Sequence, residues 1–339
     1  MLTCHRRRTD LTTTDEIKPL LEENLMEAPD LRGLVPAPVT PFTRDGDVDH
    51  AAIKKLGAWL GSFSEVKGLT VLGHAGEGTF LSPDERASVI RSFVASTEGR
   101  IPVIAGITLE GTKVATEEAK RAVKAGASAG LVYPSHGWLR FGYQKGAPQD
   151  RYRAIYEESG LPLILFQYPD ATKATYNLET QLEISALPGV FAMKNGVRNM
   201  RRWDREIPVI RKERPNLQIL TCHDEYLLHT IFDVDGALVG YGCLAPEPLI
   251  EMIAAGKAKD YAKARAVHDR LLPVTASVYH RGSHMEGTVA LKHGLVARGI
   301  LEHATVRSPL LPLPAGADVE IESALRSAGL VGQSRARAA

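Results

Sequence analysis

The chain has 339 residues, of which 44% are hydrophobic and 24% charged, a composition typical of a globular protein with a sizeable core. Its 41 Lys and Arg residues against 40 Asp and Glu leave a formal net charge of +1, so bulk electrostatics attract neither nucleic acid nor an anionic membrane. Three cysteines without CxxC spacing argue against a disulfide framework or a structural zinc site, and for a reducing compartment.

Residues 1–30 alternate charged and polar side chains and lack the apolar stretch of a signal peptide. No segment reaches the roughly 18 consecutive apolar residues that a membrane-spanning helix needs. We therefore expect an N-terminal extension over residues 1–30, a cytoplasmic location, and neither a membrane nor a nucleic-acid partner.

Eight short apolar runs, rich in β-branched residues, follow this extension. Most of them are nearly continuous in hydrophobicity, which is typical of parallel strands that are buried on both faces. The predicted strands cover residues 34–39, 68–72, 102–106, 130–133, 163–166, 190–193, 217–220 and 237–241.

The segments between these runs carry helix signals. Residues 82–85, Ser-Pro-Asp-Glu, form a capping box with proline in the first turn, and residues 112–125 place alanines and two valines on one stripe. Strand–helix alternation repeated eight times predicts the α/β class and a (β/α)8 TIM barrel over residues 31–258. An open doubly wound sheet is the competing fold, but it would need a GxGxxG fingerprint after the first strand, which is absent.

The strand signal stops after about residue 258, and helical patterns replace it. Residues 260–270, 286–298 and 320–328 are predicted helices, with a proline-rich joint at residues 307–314. We expect a C-terminal helical appendage over residues 259–331, packed beside the barrel, and a flexible tail over residues 332–339.

The sixth predicted strand has an unusual end, because Lys194 directly follows its apolar run. Two interpretations are open: the side chain snorkels into water, or it is kept dry because it is a nucleophile. Chemistry in TIM barrels sits at the C-terminal ends of the strands, where the loops 73–78, 133–138 and 166–169 should meet this amine. Burial there would lower the pKa of Lys194 and make its amine more reactive.

Four segments, taken in order, carry a resemblance to a known family. They are VPAPVTPF at residues 35–42, GHAGEGTFLSPDER at 73–86, LPLILFQYP at 161–169 and FAMKNG at 191–196. Over about residues 31–330 the chain resembles the dihydrodipicolinate synthase/N-acetylneuraminate lyase family of Schiff-base-forming class I aldolases. The resemblance implies a lyase or synthase, acting as an aldolase or dehydratase, in which Lys194 forms an imine with pyruvate or a related 2-oxo acid.

The resemblance also bears on cofactors and assembly. We expect no cofactor and no metal, because the implied chemistry uses only the lysine amine. The family implies a homo-oligomer, either a tetramer or a dimer, and the expected partner is the small 2-oxo acid substrate.

The sequence departs from the family at positions that carry its chemistry. Phe166 stands where the family has a catalytic tyrosine, and His74 and Ala75 replace two threonines. The second relay tyrosine falls near His136, and Ala171 stands near the arginine that binds the carboxylate of the aldehyde partner. The sequence therefore predicts a divergent member rather than an ordinary enzyme of lysine biosynthesis.

Three residues are candidates to restore acid–base catalysis beside Lys194: Tyr168, His74 and His136. Tyr168 shares the face of Phe166 if the strand continues to it, and simple packing is the alternative. A histidine can move a proton near neutral pH, although a loop histidine is more often a polar surface group. The predicted substrate-binding residues are Gly73, Ala75, Gly76, Phe166 and Tyr133. Those in the glycine-rich loop would bind the substrate through exposed backbone N–H groups.

Two charged residues near the predicted site have alternative interpretations. Glu77 is expected to tie its glycine-rich loop to the barrel rather than to touch substrate. Lys173 either meets an anionic second substrate or is simply solvated.

Three alternative functions stay open. A genuine 4-hydroxy-tetrahydrodipicolinate synthase of lysine biosynthesis is disfavoured by Phe166 and Ala171. A metal-dependent barrel hydrolase or aldolase would need His, Asp and Glu clustered at strand ends, and only the pair His223-Asp224 suggests one. A catalytically silent homologue that binds 2-oxo acids would keep Lys194 but lack the proton relay.

Overall fold

The computed structural model describes residues 26–332. Most of the predicted N-terminal extension, residues 1–25, and the predicted tail beyond Gly332 lie outside the described residues. The eight predicted strands are all present. In chain order they are β1 (Leu34–Pro36), β2 (Leu69–Val71), β3 (Val103–Ile107), β4 (Ala129–Val132), β5 (Leu163–Gln167), β6 (Val190–Asn195), β7 (Gln218–Thr221) and β8 (Gly236–Val239).

Helices separate the strands and continue after the last one. Three short 3₁₀ turns, at Gly78–Phe80, Asp224–Tyr226 and Gly240–Cys243, follow β2, β7 and β8. The helices are α1 (His50–Leu60), α2 (Pro83–Ser96), α3 (Thr112–Lys124), α4 (His136–Phe141), α5 (Ala147–Ser159), α6 (Leu178–Ser185), α7 (Met200–Glu213), α8 (Leu227–Thr230), α9 (Pro246–Lys257), α10 (Tyr261–Tyr279), α11 (His284–Ala297) and α12 (Ala317–Ser327).

The strands form a nearly closed parallel barrel in the order β1-β8-β7-β6-β5-β4-β3-β2. Leu34 closes the ring by pairing with Val66, just ahead of β2, and its carbonyl accepts the N–H of Lys67 at 2.8 Å. Neighbouring strands run parallel because a helix returns the chain between them. The predicted (β/α)8 barrel is confirmed.

Two apolar clusters bury opposite faces of the strands, because successive side chains point to opposite sides of a sheet. One cluster packs the sheet against the surrounding helices. The other, called here the interior cluster, fills the barrel and includes Val35, Ile104, Leu131, Ile164, Leu220 and Leu238. This double burial explains why the strands read as nearly continuous apolar runs.

The N-terminal end of the barrel is plugged by the chain that enters it. Leu31 is fully buried in the interior cluster, and its N–H donates to Oε1 of Gln218 at 2.7 Å. The side-chain amide of Gln218 donates in turn to the carbonyl of Pro29 at 3.0 Å. The opposite end, at the C-terminal ends of the strands, is called the mouth below, and it is where barrel enzymes carry their sites.

Most strand boundaries lie within one residue of the predicted ones, but the ends of β1, β6 and β8 differ by two or three residues. β1 ends at Pro36 rather than at residue 39, because Pro38 has no N–H to donate to a neighbouring strand. β6 continues to Asn195, so Lys194 lies inside the strand instead of after it. The register of β6 with both neighbours extends through these last residues, which keeps Lys194 fixed by backbone pairing on two sides.

The C-terminal helical appendage is also present among the described residues. α10 runs on to Tyr279, past the predicted end at residue 270, because Leu271, Val274 and Val278 extend its buried face. α11 and α12 lie within a few residues of their predicted bounds and pack against α10 and each other.

Candidate active site

Lys194 is buried in the mouth of the barrel. The residue is 7% exposed, and its Nζ lies 4.3 Å from the centroid of the Phe166 ring, which belongs to the interior cluster. The two residues are paired in register on β6 and β5. The interpretation of Lys194 as a snorkelling side chain is therefore wrong, and the ammonium is held over an aromatic face instead.

The charge state of Lys194 differs from the expectation. Burial disfavours the charged amine, but Cys222, Tyr133 and Asp224 outweigh this effect, so the pKa of Lys194 is raised above its ordinary value. The expected lowering of this pKa is wrong because polar groups that follow β4 and β7 lie close to the amine. The resting lysine thus keeps its proton, and nucleophilic attack requires a base that removes it.

Sequence reasoning missed Cys222 and Asp224 as neighbours of Lys194. Burial raises the pKa of both the thiol and the carboxyl. Oδ1 of Asp224 accepts hydrogen bonds of 2.8 Å from the N–H of Tyr241 and the hydroxyl of Tyr279, which fix the carboxyl in place. Both residues come just after the apolar run of β7, as Lys194 comes just after the apolar run 190–193. That position in the sequence could have identified them, because sites in such barrels lie at the C-terminal ends of the strands.

Four aromatic rings form a cluster that includes Phe166, the ring beside the amine. The centroids of Tyr133 and Phe166 are 5.1 Å apart, and those of Phe166 and Tyr168 are 4.6 Å apart. The His74 ring lies 4.9 Å from Tyr133 and 6.1 Å from Tyr168. All these pairs are edge to face, the arrangement that aromatic rings favour. The structure therefore brings four of the predicted site residues together in one cluster beside Lys194.

Tyr168 and His74 form a hydrogen-bonded pair in this cluster. Oη of Tyr168 lies 3.3 Å from Nε2 of His74, and the imidazole tautomer decides which atom donates. Tyr168 follows the last residue of β5, yet it is buried in the interior cluster beside Phe166. Extended backbone thus continues far enough to put both aromatic side chains on the inner face.

The pKa values of Tyr168 and His74 are shifted in opposite directions. Burial raises the pKa of Tyr168 well above its ordinary value. His74 is an exposed residue at the opening, but its ring is packed among aromatic neighbours, and the desolvation of the ring, followed by the charges of Lys194 and His136, lowers the pKa of His74 to about 4. The expected titration of His74 near neutral pH is therefore wrong. A neutral imidazole at pH 7 is able to accept a proton.

Tyr133 carries a second hydroxyl in the mouth. The residue is 1% exposed and burial raises its pKa. A Cβ atom at Gly73 would lie only 2.6 Å from the Tyr133 hydroxyl, so the glycine is required by this close approach. Tyr133 directly follows β4, and its hydroxyl stands near the amine where Phe166 has none.

The glycine loop, residues 73–78, keeps two amides available. The N–H groups of the two residues after Gly76 bond back to carbonyls at the start of the loop, and Thr40 donates to the Gly76 carbonyl at 2.6 Å. Within the described part of the chain, the N–H groups of Ala75 and Gly76 have no protein acceptor. Adjacent free amides of this kind suit a carboxylate.

A buried ion pair anchors the glycine loop to the C-terminal helices. Glu77, in a left-handed conformation with φ 52°, pairs with Lys292 of α11, and both side chains are fully buried. Lys292 also donates to the carbonyl of Thr305 at 2.7 Å, and the N–H of Arg307 donates to Glu77 Oε2 at 2.9 Å. Glu77 thus ties the loop to the C-terminal appendage rather than to the barrel, which corrects the expectation.

His136 lies at the rim rather than beside the amine. It begins α4, is exposed, and bonds through Nδ1 to Oε1 of Glu110 at 2.7 Å. Its backbone N–H donates to the same oxygen at 2.8 Å, and Ser135 donates to Oε2 at 2.5 Å. The structure therefore places His136 near His74, whose pKa it affects, and outside the ring cluster.

His223 is engaged by protein groups on both ring nitrogens. Nε2 accepts the N–H of Arg198 at 3.1 Å, which places the ring proton on Nδ1, 2.9 Å from Oγ1 of Thr221. Burial, followed by the charge of Arg198, lowers the pKa of His223 to about 3. Over residues 26–332, no group of three or more His, Cys, Asp or Glu side chains is arranged to hold a metal ion.

Fold and site together define the class of barrel enzyme that holds a buried lysine in its mouth. Comparisons with known proteins agree with this class. The model of the dihydrodipicolinate synthetase family matches residues 30–328. A 4-hydroxy-tetrahydrodipicolinate synthase from Rhodopseudomonas palustris is 32% identical over 313 residues, which cover 89% of this chain and 98% of that protein.

Solved structures agree as well. A chloride-inhibited dihydrodipicolinate synthase from Acinetobacter baumannii, complexed with pyruvate, has a TM-score of 0.79 at 25% identity and covers 89% of this chain and all of its own. The first monomeric dihydrodipicolinate synthase variant has a TM-score of 0.80 at 24% identity, over 89% and 98% of the two chains. The chain belongs to the dihydrodipicolinate synthetase family, whose members are class I aldolase-type lyases and synthases.

Between residues 26 and 332, no helix combines the length and the apolar character that crossing a membrane demands.

Proposed function

We propose that Lys194 forms an imine with the keto carbon of pyruvate or a related 2-oxo acid, and that the protein makes or breaks a bond beside that imine. The single observation that supports this most strongly is the buried amine of Lys194 among Phe166, Tyr133 and the Tyr168–His74 pair. A dry, fixed amine next to proton-moving groups is what nucleophilic catalysis by lysine requires.

The proposed reaction starts with a proton transfer. Lys194 releases its proton by way of the Tyr168 hydroxyl and neutral His74, which relays the proton and does not retain it because its pKa is about 4, and the free amine attacks the keto carbon. The carbonyl oxygen takes up two protons through the same pair, the one released by the ammonium and one lost by the carbinolamine nitrogen, and leaves as water, which yields the protonated imine. The substrate carboxylate is held by the N–H groups of Ala75 and Gly76, with Gly73 giving Tyr133 room beside it.

The roles of the other predicted residues follow from their places. Phe166 flanks the imine but relays no proton, so the hydroxyls of Tyr168 and Tyr133 take over that work. His136 exchanges protons between the rim and solvent. In this proposal neither a cofactor nor a metal takes part.

A second candidate function is 4-hydroxy-tetrahydrodipicolinate synthase itself, which the name of the Rhodopseudomonas palustris relative favours. Phe166 and Ala171 argue against it, because they lack the hydroxyl and the guanidinium that the family uses there. The third candidate, a silent 2-oxo-acid-binding protein, is incompatible with turnover of any 2-oxo acid.

We further propose a cytoplasmic homo-oligomer, either a dimer or a tetramer. The family membership supports an oligomer, although one of the similar solved structures is a monomeric variant. Light scattering at several concentrations decides between monomer, dimer and tetramer.

Borohydride trapping tests the imine. Wild-type protein incubated with pyruvate and sodium borohydride should gain one reduced adduct in its intact mass, and Lys194→Ala should gain none. Lys173→Ala, which removes an exposed lysine of the loop after β5, is the matched control and should be labelled like the wild type. Equal labelling of Lys194→Ala and wild type would refute the proposal.

A further inference from the structure

The side of the mouth formed by the loops after β4 and β5 is apolar. Trp138 and Leu139 of α4 pack against the interior cluster, which contains Phe166 and Tyr168. The N–H of Lys173 donates to the carbonyl of Leu139 at 3.3 Å and so joins the loop after β5 to α4. Aromatic and aliphatic side chains therefore border the mouth beside Phe166, the ring that lies against the Lys194 amine.

The ring cluster suits one more ring. Tyr133, Phe166 and Tyr168 lie edge to face, with centroids 4.6 to 6.2 Å apart. An added aromatic ring meets the same electrostatic preference at the cluster's edge. Its transfer out of water is favourable in proportion to the apolar area buried.

Of the arginines next to the mouth, Arg140 of α4 is exposed, with its guanidinium over the Phe141 ring, whereas Arg198 and Arg202 are already paired. Arg198, on the loop after β6, forms an ion pair with buried Glu225. Arg202, at the start of α7, bonds to Asp170 at 2.5 Å and to Glu206 at 2.8 Å. A substrate carboxylate would have to displace these carboxylates to gain the guanidinium of Arg198 or Arg202.

The loop after β5 offers no replacement for the missing arginine. Ala171 presents only an exposed methyl group, and Lys173 is exposed, so its ammonium is solvated and screened by salt. Removing water from a carboxylate without giving it a partner costs free energy. The loop after β5 therefore offers no buried partner for a carboxylate at the end of a substrate that lies away from the imine carbon.

We propose that the far end of the substrate, beyond the imine carbon, is aromatic or of similar apolar character. This inference rests on the proposed function of Lys194 and names its substrate class: 2-oxo acids that carry an aryl group at C4, or the corresponding pair of pyruvate and an aromatic aldehyde. The aryl group packs against Trp138, Leu139 and the edges of Phe166 and Tyr168.

For a 4-hydroxy-4-aryl-2-oxo acid the cleavage balances as follows. The C3–C4 bond breaks, its electrons pass into the imine to give an enamine, and the proton of the C4 hydroxyl goes to the Tyr168–His74 pair as the aromatic aldehyde leaves. The enamine takes a proton at C3, and water hydrolyses the imine to release pyruvate and free Lys194.

Two 2-oxo acids of equal chain length test the inference. 2-Oxo-4-phenylbutanoate and 2-oxoglutarate differ only in carrying a phenyl or a carboxylate at C4, and pyruvate is the reference. Borohydride adducts on the wild-type protein are counted by mass spectrometry at increasing acid concentration. We expect half-maximal labelling by the phenyl acid at a concentration at least tenfold lower than by 2-oxoglutarate.

The outcomes separate the two proposals. Absence of a pyruvate adduct refutes the imine itself, and the substrate class falls with it. A pyruvate adduct combined with a phenyl preference below tenfold, or with no adduct from either longer acid, overturns the substrate class alone and leaves the imine standing.

Two variants of α4 locate the preference. Trp138→Ala should reduce the phenyl preference to less than threefold while pyruvate labelling stays normal, which also shows that the variant is folded. Phe141→Ala, on the same helix but with its ring 76% exposed, is the matched control and should keep the full preference. Trp138→Leu replaces Trp138→Ala if the latter fails to label with pyruvate. An unchanged preference in the Trp138 variant overturns the assignment of the aryl group to this wall.

Discussion

Lys194 and Phe166 face each other on adjacent strands, with the ammonium nitrogen 4.3 Å from the centre of the phenyl ring. The sequence resemblance implies that the ring stands where the family carries a catalytic tyrosine, and the ring stabilises the charged lysine without being able to relay a proton. A phenylalanine at this position therefore changes both the surroundings of the nucleophile and the route of its proton.

Phe166→Leu should make the amine available at lower pH. A cation–π contact contributes about 0.5–2 kcal/mol to the charged form, so its removal lowers the pKa of Lys194. The rate of borohydride trapping with pyruvate, plotted against pH, should move its midpoint to lower pH. Phe141→Leu, at an exposed ring, should leave the midpoint unchanged, and an unshifted midpoint in Phe166→Leu would contradict the role of the ring.

Tyr168→Phe should abolish turnover, whereas imine trapping should become slower but still reach the wild-type extent. Removing a group that transfers protons costs about 10²–10⁴ in rate, whereas the amine and its pocket stay in place. Steady-state kinetics and trapping on the same sample measure the two effects separately. Tyr143→Phe, which removes a hydroxyl of a tyrosine outside the ring cluster, is the control, and normal turnover of Tyr168→Phe would exclude this tyrosine as the relay.

The acid limb of the pH–rate profile reports on His74. Because its pKa is lowered to about 4, the imidazole is neutral and able to accept a proton at any pH above that value. Turnover of the wild type should therefore decline only as the pH falls toward about 4. A decline centred near 6.5, the ordinary histidine value, would show that a different histidine is responsible.

The ion pair of Glu77 and Lys292 should show strong coupling. Lys292→Met leaves a buried carboxylate without its partner, which costs about 3–5 kcal/mol of unfolding free energy. Glu77→Gln combined with Lys292→Met removes both charges and should recover much of that loss. Denaturant unfolding of the wild type, the two single variants Glu77→Gln and Lys292→Met, and the double variant measures the coupling, and additive losses in the double variant would mean that the two side chains do not interact.

Gly73→Ala should impair the site through Tyr133. The added methyl group would approach the Tyr133 hydroxyl to 2.6 Å, so the ring has to move, at a cost of about 1–3 kcal/mol. We expect slower imine trapping and lower stability. Gly111→Ala, where the nearest side-chain atom is 3.7 Å away, is the matched control and should match the wild type in both measurements.

The sequence predicted the barrel well because each strand is buried on both faces and is followed by a helix, so local hydrophobicity alone reveals the alternation. It also placed Lys194, His74, Tyr133, Phe166 and Tyr168 at strand ends, and the barrel topology brings those ends together. These predictions needed only the order of elements and the rule that parallel strands share one C-terminal edge.

The pKa of the lysine and the anchor of the glycine loop could not be predicted from the sequence, because both depend on contacts between residues that are far apart in the chain. The pKa of Lys194 is set partly by Cys222 and Asp224, and the anchor of Glu77 is Lys292, more than 200 residues further along the chain. No local pattern connects such residues, and each contact exists only after the barrel closes. Strand ends were likewise misplaced because pairing on both sides, rather than hydrophobicity, carries β6 through Lys194.

The most direct test of the account is the position of the pyruvate adduct. Wild-type protein is reduced with borohydride in saturating pyruvate, digested with a protease and mapped by mass spectrometry. One modified residue is expected, Lys194, whereas Lys292, which is also buried among the described residues, should be unmodified. No adduct at saturation, or an adduct on any lysine other than Lys194, would contradict it.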